Sequence, residues 1–99
     1  MKIEDLKEQV SIEEVIAYLG GKEAGWSGGY KDRWVSWVCP FCNDSNGSAS
    51  VQPQAGRFLC HQCAAPRDGR SGDVIDVAMY ELNTTDINEA MAWLERTFL

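Results

Sequence analysis

CPFC at residues 39–42 and CHQC at residues 60–63 contain all four cysteines of this 99-residue chain. Two residues between the cysteines of a pair let a tight turn present both sulfurs to one ion, and the longer gap lets a hairpin bring the second pair opposite the first. Four thiolates complete a tetrahedron around zinc and leave no open coordination position. The spacing therefore predicts one structural zinc ion bound by Cys39, Cys42, Cys60 and Cys63.

Other uses of the four cysteines fit the sequence less well. Two disulfides need an oxidising compartment, which nothing in the sequence indicates. A redox Cys-x-x-Cys motif explains one pair only, and the spacing is not one of the usual iron–sulfur patterns. His61, the one histidine of the chain, could replace a sulfur, but the two cysteines beside it already have the favoured spacing.

The composition is that of one globular domain, residues 1–99, with a thin core. No apolar run reaches the length of a membrane span, and the acidic start MKIEDLKEQV is unlike a secretory signal. These features predict a protein of the reducing cytoplasm with no membrane partner.

The net charge of −6 is unevenly distributed along the chain. Residues 22–70 carry six Lys and Arg against four acids, whereas residues 1–21 carry two against five and residues 71–99 one against six. A mildly basic middle between acidic flanks permits a nucleic-acid partner without requiring one.

Hydrophobic periodicity predicts an α+β fold, in which a small antiparallel zinc-ribbon sheet is flanked by one N-terminal helix and two C-terminal helices. SIEEVIAYLGG (residues 11–21) reads as a helix that Ser11 and Glu14 cap and that the glycines end. A short turn using Ile3, Leu6 and Val10 is expected before it. GWSGGYKD reads as a loop, and three strands are expected within RWVSWVC, SASVQP and GRFLC.

The C-terminal part of the chain predicts two structural helices rather than a catalytic site. We expect an apolar stripe to pack into a core beside the ribbon; it comprises Ile75, Met79, Leu82, Ile87, Met91 and Leu94. Asp73 and Asp76 are expected to cap the first helix, and Thr85 or Asp86 the second. With a closed zinc site and no Gly-rich phosphate loop, the chain is expected to be a non-catalytic module.

Four stretches resemble, in order, the N-terminal zinc-binding domain of bacterial and phage DnaG-type DNA primases. They are VSIEEVIAYL (10–19), CPFCNDSNGSASV (39–51), RFLCHQC (57–63) and GDVIDVAMYELNTTDINEAMAWL (72–94). The resemblance spans roughly residues 3–98. It implies an accessory part of a primase that engages single-stranded template DNA and helps select where primers start. The implied partners are the template, an RNA-polymerising catalytic domain and a replicative helicase, and the implied location is the cytoplasm of a bacterium or a phage-infected cell.

The chain also departs from the family pattern. Cys42 stands where the family usually has histidine, and Gly47, Ser48 and Ala49 replace the Pro-Ser-Phe stretch. His61 and Gln62 replace an aromatic residue and a glycine, and AAPRDGRS is longer than the family's turn. No polymerising domain follows residue 98, so the chain is either a cut fragment or a free-standing module. The start at Met1 favours the second expectation.

Any DNA contact is expected on the sheet face of the basic middle. Arg33 and Arg57, with Lys31, would hold phosphates, and an exposed ring would stack on bases. Strand alternation puts Trp34 and Trp37 on opposite faces and favours Trp34 as the exposed ring, although both could instead be core residues. Two other functions stay open: an acidic zinc ribbon that docks a replication or transcription protein without binding DNA, and a primase-like relic with a regulatory or host-takeover role.

Overall fold

The computed structural model describes residues 2–26, 34–42, 49–67 and 70–99. Within these ranges the helices are α1 (Ile3–Gln9), α2 (Ile12–Tyr18), α3 (Val74–Leu82) and α4 (Ile87–Phe98). The strands are β1 (Lys22–Trp26), β2 (Val35–Val38), β3 (Ala49–Gln52) and β4 (Arg57–Cys60), and they form one antiparallel sheet in the order β1-β2-β3-β4. The predicted α+β class, with helices at both ends of the chain, is confirmed.

The N-terminal region contains two helices where the sequence predicted one helix after a short turn. Ser11 caps α2 as expected: its Oγ accepts from the backbone N–H of Glu14 at 3.1 Å and donates to the carboxylate of Glu14. Gly20, with φ of 111°, adopts a left-handed conformation that ends the helix. The predicted turn is a full helix, α1, which buries Leu6 and is followed by the buried Val10, whereas Ile3 is 39% exposed.

Strand β1 is a finding that the sequence did not predict. Its sequence, KEAGW, contains none of the β-branched residues that favour strands, and the expected loop GWSGGYKD begins inside it. A register shift between Glu23 and Gly25 interrupts its pairing with β2. This irregular, charged strand lies at the edge of the sheet, where such features discourage pairing with another chain.

The core lies on one face of the sheet. Alternation along the strands puts six side chains on that face, with register pairs such as Val51 opposite Phe58. They are Val35, Trp37, Ala49, Val51, Phe58 and Cys60; all except the half-buried Val35 are buried, and they join one hydrophobic cluster with residues of all four helices. The helices therefore cover this face of the sheet.

The C-terminal helices confirm most of the predicted apolar stripe. Ile75 and Leu94 are buried, and Met79, Leu82 and Met91 are half-buried. The expectation that Ile87 packs into the core is wrong, because this side chain is 44% exposed. It lies in the first turn of α4, next to the cap formed by Asp86, whose carboxylate accepts from the Asn88 N–H at 2.9 Å. The first turn of α4 is exposed to solvent, so the apolar spacing of the helix extends one turn beyond the residues that pack in the core.

A segment before α3 covers the free edge of β4. Phe58 and Gly72 exchange two backbone hydrogen bonds of 2.8 and 2.9 Å, and the Cys60 N–H donates to the Ala65 carbonyl at 3.0 Å. A side chain at Gly72 would place its Cβ 2.6 Å from atoms of both Pro66 and Asp76. Glycine is therefore required for this close approach.

Asp73 joins the two ends of the chain at the start of α3. It caps α3 as predicted, in a capping box with Asp76, and its carboxylate lies 3.0 Å from the Lys7 ammonium on α1. Burial alone would raise the pKa of Asp73, but the Asp76 N–H and the Lys7 charge outweigh it, so the pKa is below its ordinary value of 3.8. The ionised group therefore stabilises the fold above that value, and this stability is lost as the pH falls through the folded-state pKa.

We expect Asp73→Ala to lower the free energy of unfolding by about 1–2 kcal/mol, through loss of the cap. Asp73→Asn keeps a capping oxygen and should cost less. Urea unfolding of the zinc-loaded protein from pH 5 to 8 measures both, and the differences from wild type should be constant there because the carboxylate stays ionised. A difference that grows from pH 5 to 8 would show that another group is responsible.

Candidate metal centre

The two cysteine pairs lie where two strands end. Cys39 directly follows β2, and Cys60 is the last residue of β4. Strand β3 runs between them, and Ala49 at its start pairs with both Trp37 and Cys60. The cysteines therefore link two strands that are not neighbours, at one end of the sheet.

The four sulfurs have the spacing of a tetrahedral metal site. The Sγ atoms of Cys39 and Cys63 lie 3.8 Å apart, those of Cys42 and Cys60 lie 3.6 Å apart, and all four lie within 4.8 Å of one another. A tetrahedron with Zn–S bonds of about 2.3 Å has edges of about 3.8 Å. Disulfide sulfurs are separated by about 2.05 Å, so these four cysteines are free thiols gathered around one point.

Backbone groups orient the sulfurs. The Phe41 N–H donates to Cys39 Sγ at 3.3 Å, and the Cys63 N–H donates to Cys60 Sγ at 3.5 Å. Ala64 follows with φ of 62°, a left-handed conformation, and its N–H donates to the Cys60 carbonyl at 3.0 Å. Both pairs thus form tight turns with N–H groups directed at sulfur, as the two-residue spacing predicted.

The thiols alone do not favour four negative charges. Burial raises the pKa of Cys39 well above its ordinary value. Burial, together with hydrogen bonds that the Cys42 thiol donates to the sulfurs of Cys63 and Cys60, raises the pKa of Cys42 to about 11. Burial acts the same way on Cys60, but N–H donors from Cys63 and Gln62 outweigh it and lower that pKa. A bound cation removes this conflict, because a coordinating thiol is deprotonated outright. The donor set is therefore suited to a soft divalent metal such as zinc.

Aromatic side chains cover the centre on one side. Phe41 packs edge-to-face against Tyr80 of α3, with ring centroids 4.8 Å apart, and against Phe58 of β4 at 6.1 Å. Burial, followed by the four nearby sulfurs, raises the pKa of Tyr80. The sequence analysis identified neither Phe41 nor Tyr80 as part of the metal centre. Phe41 lies inside the first pair, which was a usable signal, but nothing in the sequence connects Tyr80 to it.

His61 is exposed between Cys60 and Cys63. Among the described residues, the cluster whose ligand atoms could share one ion consists of the four cysteines. The geometry thus agrees with the interpretation of His61 as a surface side chain.

The structure describes two of the four predicted DNA-contact residues. Arg57 is half-buried, and its guanidinium donates to the Ser71 hydroxyl and carbonyl at 3.1 and 2.7 Å, so it holds the segment along the edge of β4. Trp34 is half-buried immediately before β2, whereas Trp37 is buried in the core. Lys31 and Arg33 lie outside the described residues.

The sheet face away from the helices carries a row of small and apolar side chains. Ser36 of β2, Ser50 of β3 and Leu59 of β4 lie opposite one another in register. All three are half-buried, in contrast to the buried side chains of the other face. Arg57 lies on this face by alternation along β4. We refer to these four residues as the serine face.

A sequence model of one family, described as the CHC2 zinc finger and representing the zinc ribbon of DnaG, matches residues 1–98. No curated protein matches the sequence. None of the helices among the described residues is both long and apolar enough to cross a membrane. The zinc-finger match and the four sulfurs within ligating distance together support one structural zinc ion.

Proposed function

Because the chain belongs to the CHC2 zinc finger family, we propose that it is the zinc module of a DnaG-type primase. In this proposal Cys39, Cys42, Cys60 and Cys63 are the zinc ligands. The serine face binds single-stranded template DNA and helps to specify where a separate RNA-polymerising domain starts a primer.

One-sided packing of the sheet is the observation that carries the DNA-binding part of this proposal. The described helices cover the face that contains Phe58 and Trp37, whereas the four residues of the serine face, on the other side, are half-buried. Gln52, at the end of β3, is the buried exception among the described residues of that side. Single strands are commonly bound along an open surface by cations that follow the backbone and rings that stack on bases.

The residues of this face can supply the contacts. Serine hydroxyls donate to phosphate oxygens, and Arg57 has further N–H groups beyond the two bonded to Ser71. Trp34 directly precedes β2. Lys31 and Arg33 come shortly before it in the sequence, and in this proposal they supply two further cations.

Zinc has a structural role in this scheme. By joining the ends of β2 and β4 it fixes the strands that bear Ser36 and Leu59, and four sulfur ligands leave no position for a metal-bound water. The polymerising chemistry then belongs to a separate domain, and the replicative helicase is a further partner of the assembly. We expect the 99-residue chain by itself to synthesise no primer.

Titration of the zinc-loaded chain with a labelled short single-stranded DNA tests the serine face. Binding should weaken as salt is added, because each protein–phosphate contact contributes about 0.7 to the slope of log K against log salt for single strands. Loss of two cations in Arg33→Ala/Arg57→Ala should weaken binding and reduce that slope by about 1.4.

Arg96→Ala is the matched control, since it removes a cation from the exposed surface of α4. It should leave both the affinity and the slope unchanged. Zinc content and thermal unfolding of the double variant establish that the loss is not due to the missing Arg57–Ser71 contacts. Absence of DNA binding by wild type, or binding that the double variant retains with the same salt slope, would refute the serine face as the DNA site.

A further inference from the structure

Three aromatic rings meet on the outer side of α2 and α4. Tyr18 packs edge-to-face on Phe98 and Trp93, with centroid distances of 5.3 and 6.1 Å, and Trp93 contacts Phe98 at 5.8 Å. Trp93 and Phe98 are half-buried against the core, whereas Tyr18 is 62% exposed. We refer to these three residues as the aromatic cluster. The Tyr18 ring is thus largely exposed to solvent and is not part of the hydrophobic core.

An acidic residue lies one helical turn from each ring. Glu14 precedes Tyr18 by four residues, Glu89 precedes Trp93 by four, and Glu95 precedes Phe98 by three. Side chains at these spacings are neighbours on a helix surface. Within α2 both charged residues are acidic, and Arg96 is the one basic residue within α4. Arg96 follows Trp93 by three residues, so along these two helices three acidic residues and one basic residue neighbour the aromatic cluster, a net charge of −2.

We propose that the aromatic cluster docks a basic, arginine-bearing segment of a partner protein. A guanidinium placed over an aromatic ring is attracted by the negative ring face, and carboxylates beside the ring add charge complementarity and favour encounter. The same charges disfavour nucleic acid, because phosphates are repelled, and disfavour a second copy of this acidic chain.

This surface is separate from the proposed DNA site. The aromatic cluster belongs to helices on the covered side of the sheet, and the serine face is on the other side. A template strand and a basic segment could therefore be bound together, so the module would connect DNA to a protein. A result that rules out DNA binding by the serine face would therefore leave the proposal for the aromatic cluster standing, and the reverse also holds.

Two-dimensional NMR of the isotope-labelled, zinc-loaded chain tests the proposal. The probe is a blocked peptide of alternating arginine and alanine, with a peptide carrying glutamate in place of arginine as its matched control. The arginine peptide should shift the resonances of Tyr18, Trp93 and Phe98, and the glutamate peptide should not. Tyr18→Ala should weaken binding about three- to fivefold, the magnitude of a cation–π contact at an exposed site.

Tyr18→Phe retains the ring and should bind like wild type. Glu14→Gln/Glu89→Gln should weaken binding and reduce its dependence on salt, because two of the neighbouring charges are gone. The proposal is overturned if the arginine peptide does not bind, if its shifts fall outside the aromatic cluster, or if Tyr18→Ala binds as well as wild type. It is also overturned if short single-stranded DNA shifts the aromatic cluster instead.

Discussion

Replacement of Cys60 by alanine is expected to unfold most of the sheet at its zinc-bound end. Cys60 is fully buried, ends β4 and lies 3.6 Å from Cys42 Sγ, so its loss opens the metal site and leaves a gap beside the core. Apparent zinc-binding energies in zinc-finger peptides are about 10–16 kcal/mol, comparable to the whole stability of a small domain. Circular dichroism and zinc content of the purified variant measure the effect.

Two variants serve as controls for this result. Cys42→His supplies the ligand that the family usually has at this position, and imidazole also binds zinc, so it should keep both metal and fold. Gln62→Ala changes an exposed side chain inside the same turn and should be neutral. A Cys60→Ala protein with a native spectrum and a full equivalent of zinc would show that the metal does not hold the ribbon together.

Leu94→Ala is expected to lower the free energy of unfolding by about 2–5 kcal/mol. Leu94 is completely buried in the cluster that joins the helices to the sheet, so the truncation removes apolar contacts and leaves a cavity. Urea denaturation of the zinc-loaded protein, followed by circular dichroism, measures the change.

Ile87→Ala is the matched control on the same helix. Ile87 is 44% exposed, so its truncation removes about half as much buried surface as that of Leu94, leaves no enclosed cavity and should cost about 1 kcal/mol. If Leu94→Ala cost no more than Ile87→Ala, then α4 would not pack as described and its apolar stripe would be available to a partner.

The metal centre was predictable because its chemistry depends on residue type and local spacing. Two-residue gaps define the turns at Cys39 and Cys60, and the described geometry follows from them. The capping residues Ser11 and Asp73 were predictable for the same reason, since a side-chain oxygen and an N–H three residues later form a local contact.

Features that depend on distant contacts were not predictable from the sequence. Strand β1 exists because β2 supplies backbone partners, and backbone hydrogen bonds leave little trace in the sequence KEAGW. Helix α1 is short, and Leu6 within it and Val10 directly after it are recognisable as core only when the other elements pack on them. Ile87 shows the converse, because a correct helical period does not reveal where the core ends.

Metal analysis combined with X-ray absorption at the metal edge of the purified protein identifies the bound ion and its ligand atoms. We expect one equivalent of zinc with four sulfur neighbours at about 2.3 Å, supplied by Cys39, Cys42, Cys60 and Cys63. Iron, or zinc bound directly to a nitrogen or oxygen atom, would contradict a structural zinc ion held by these four cysteines.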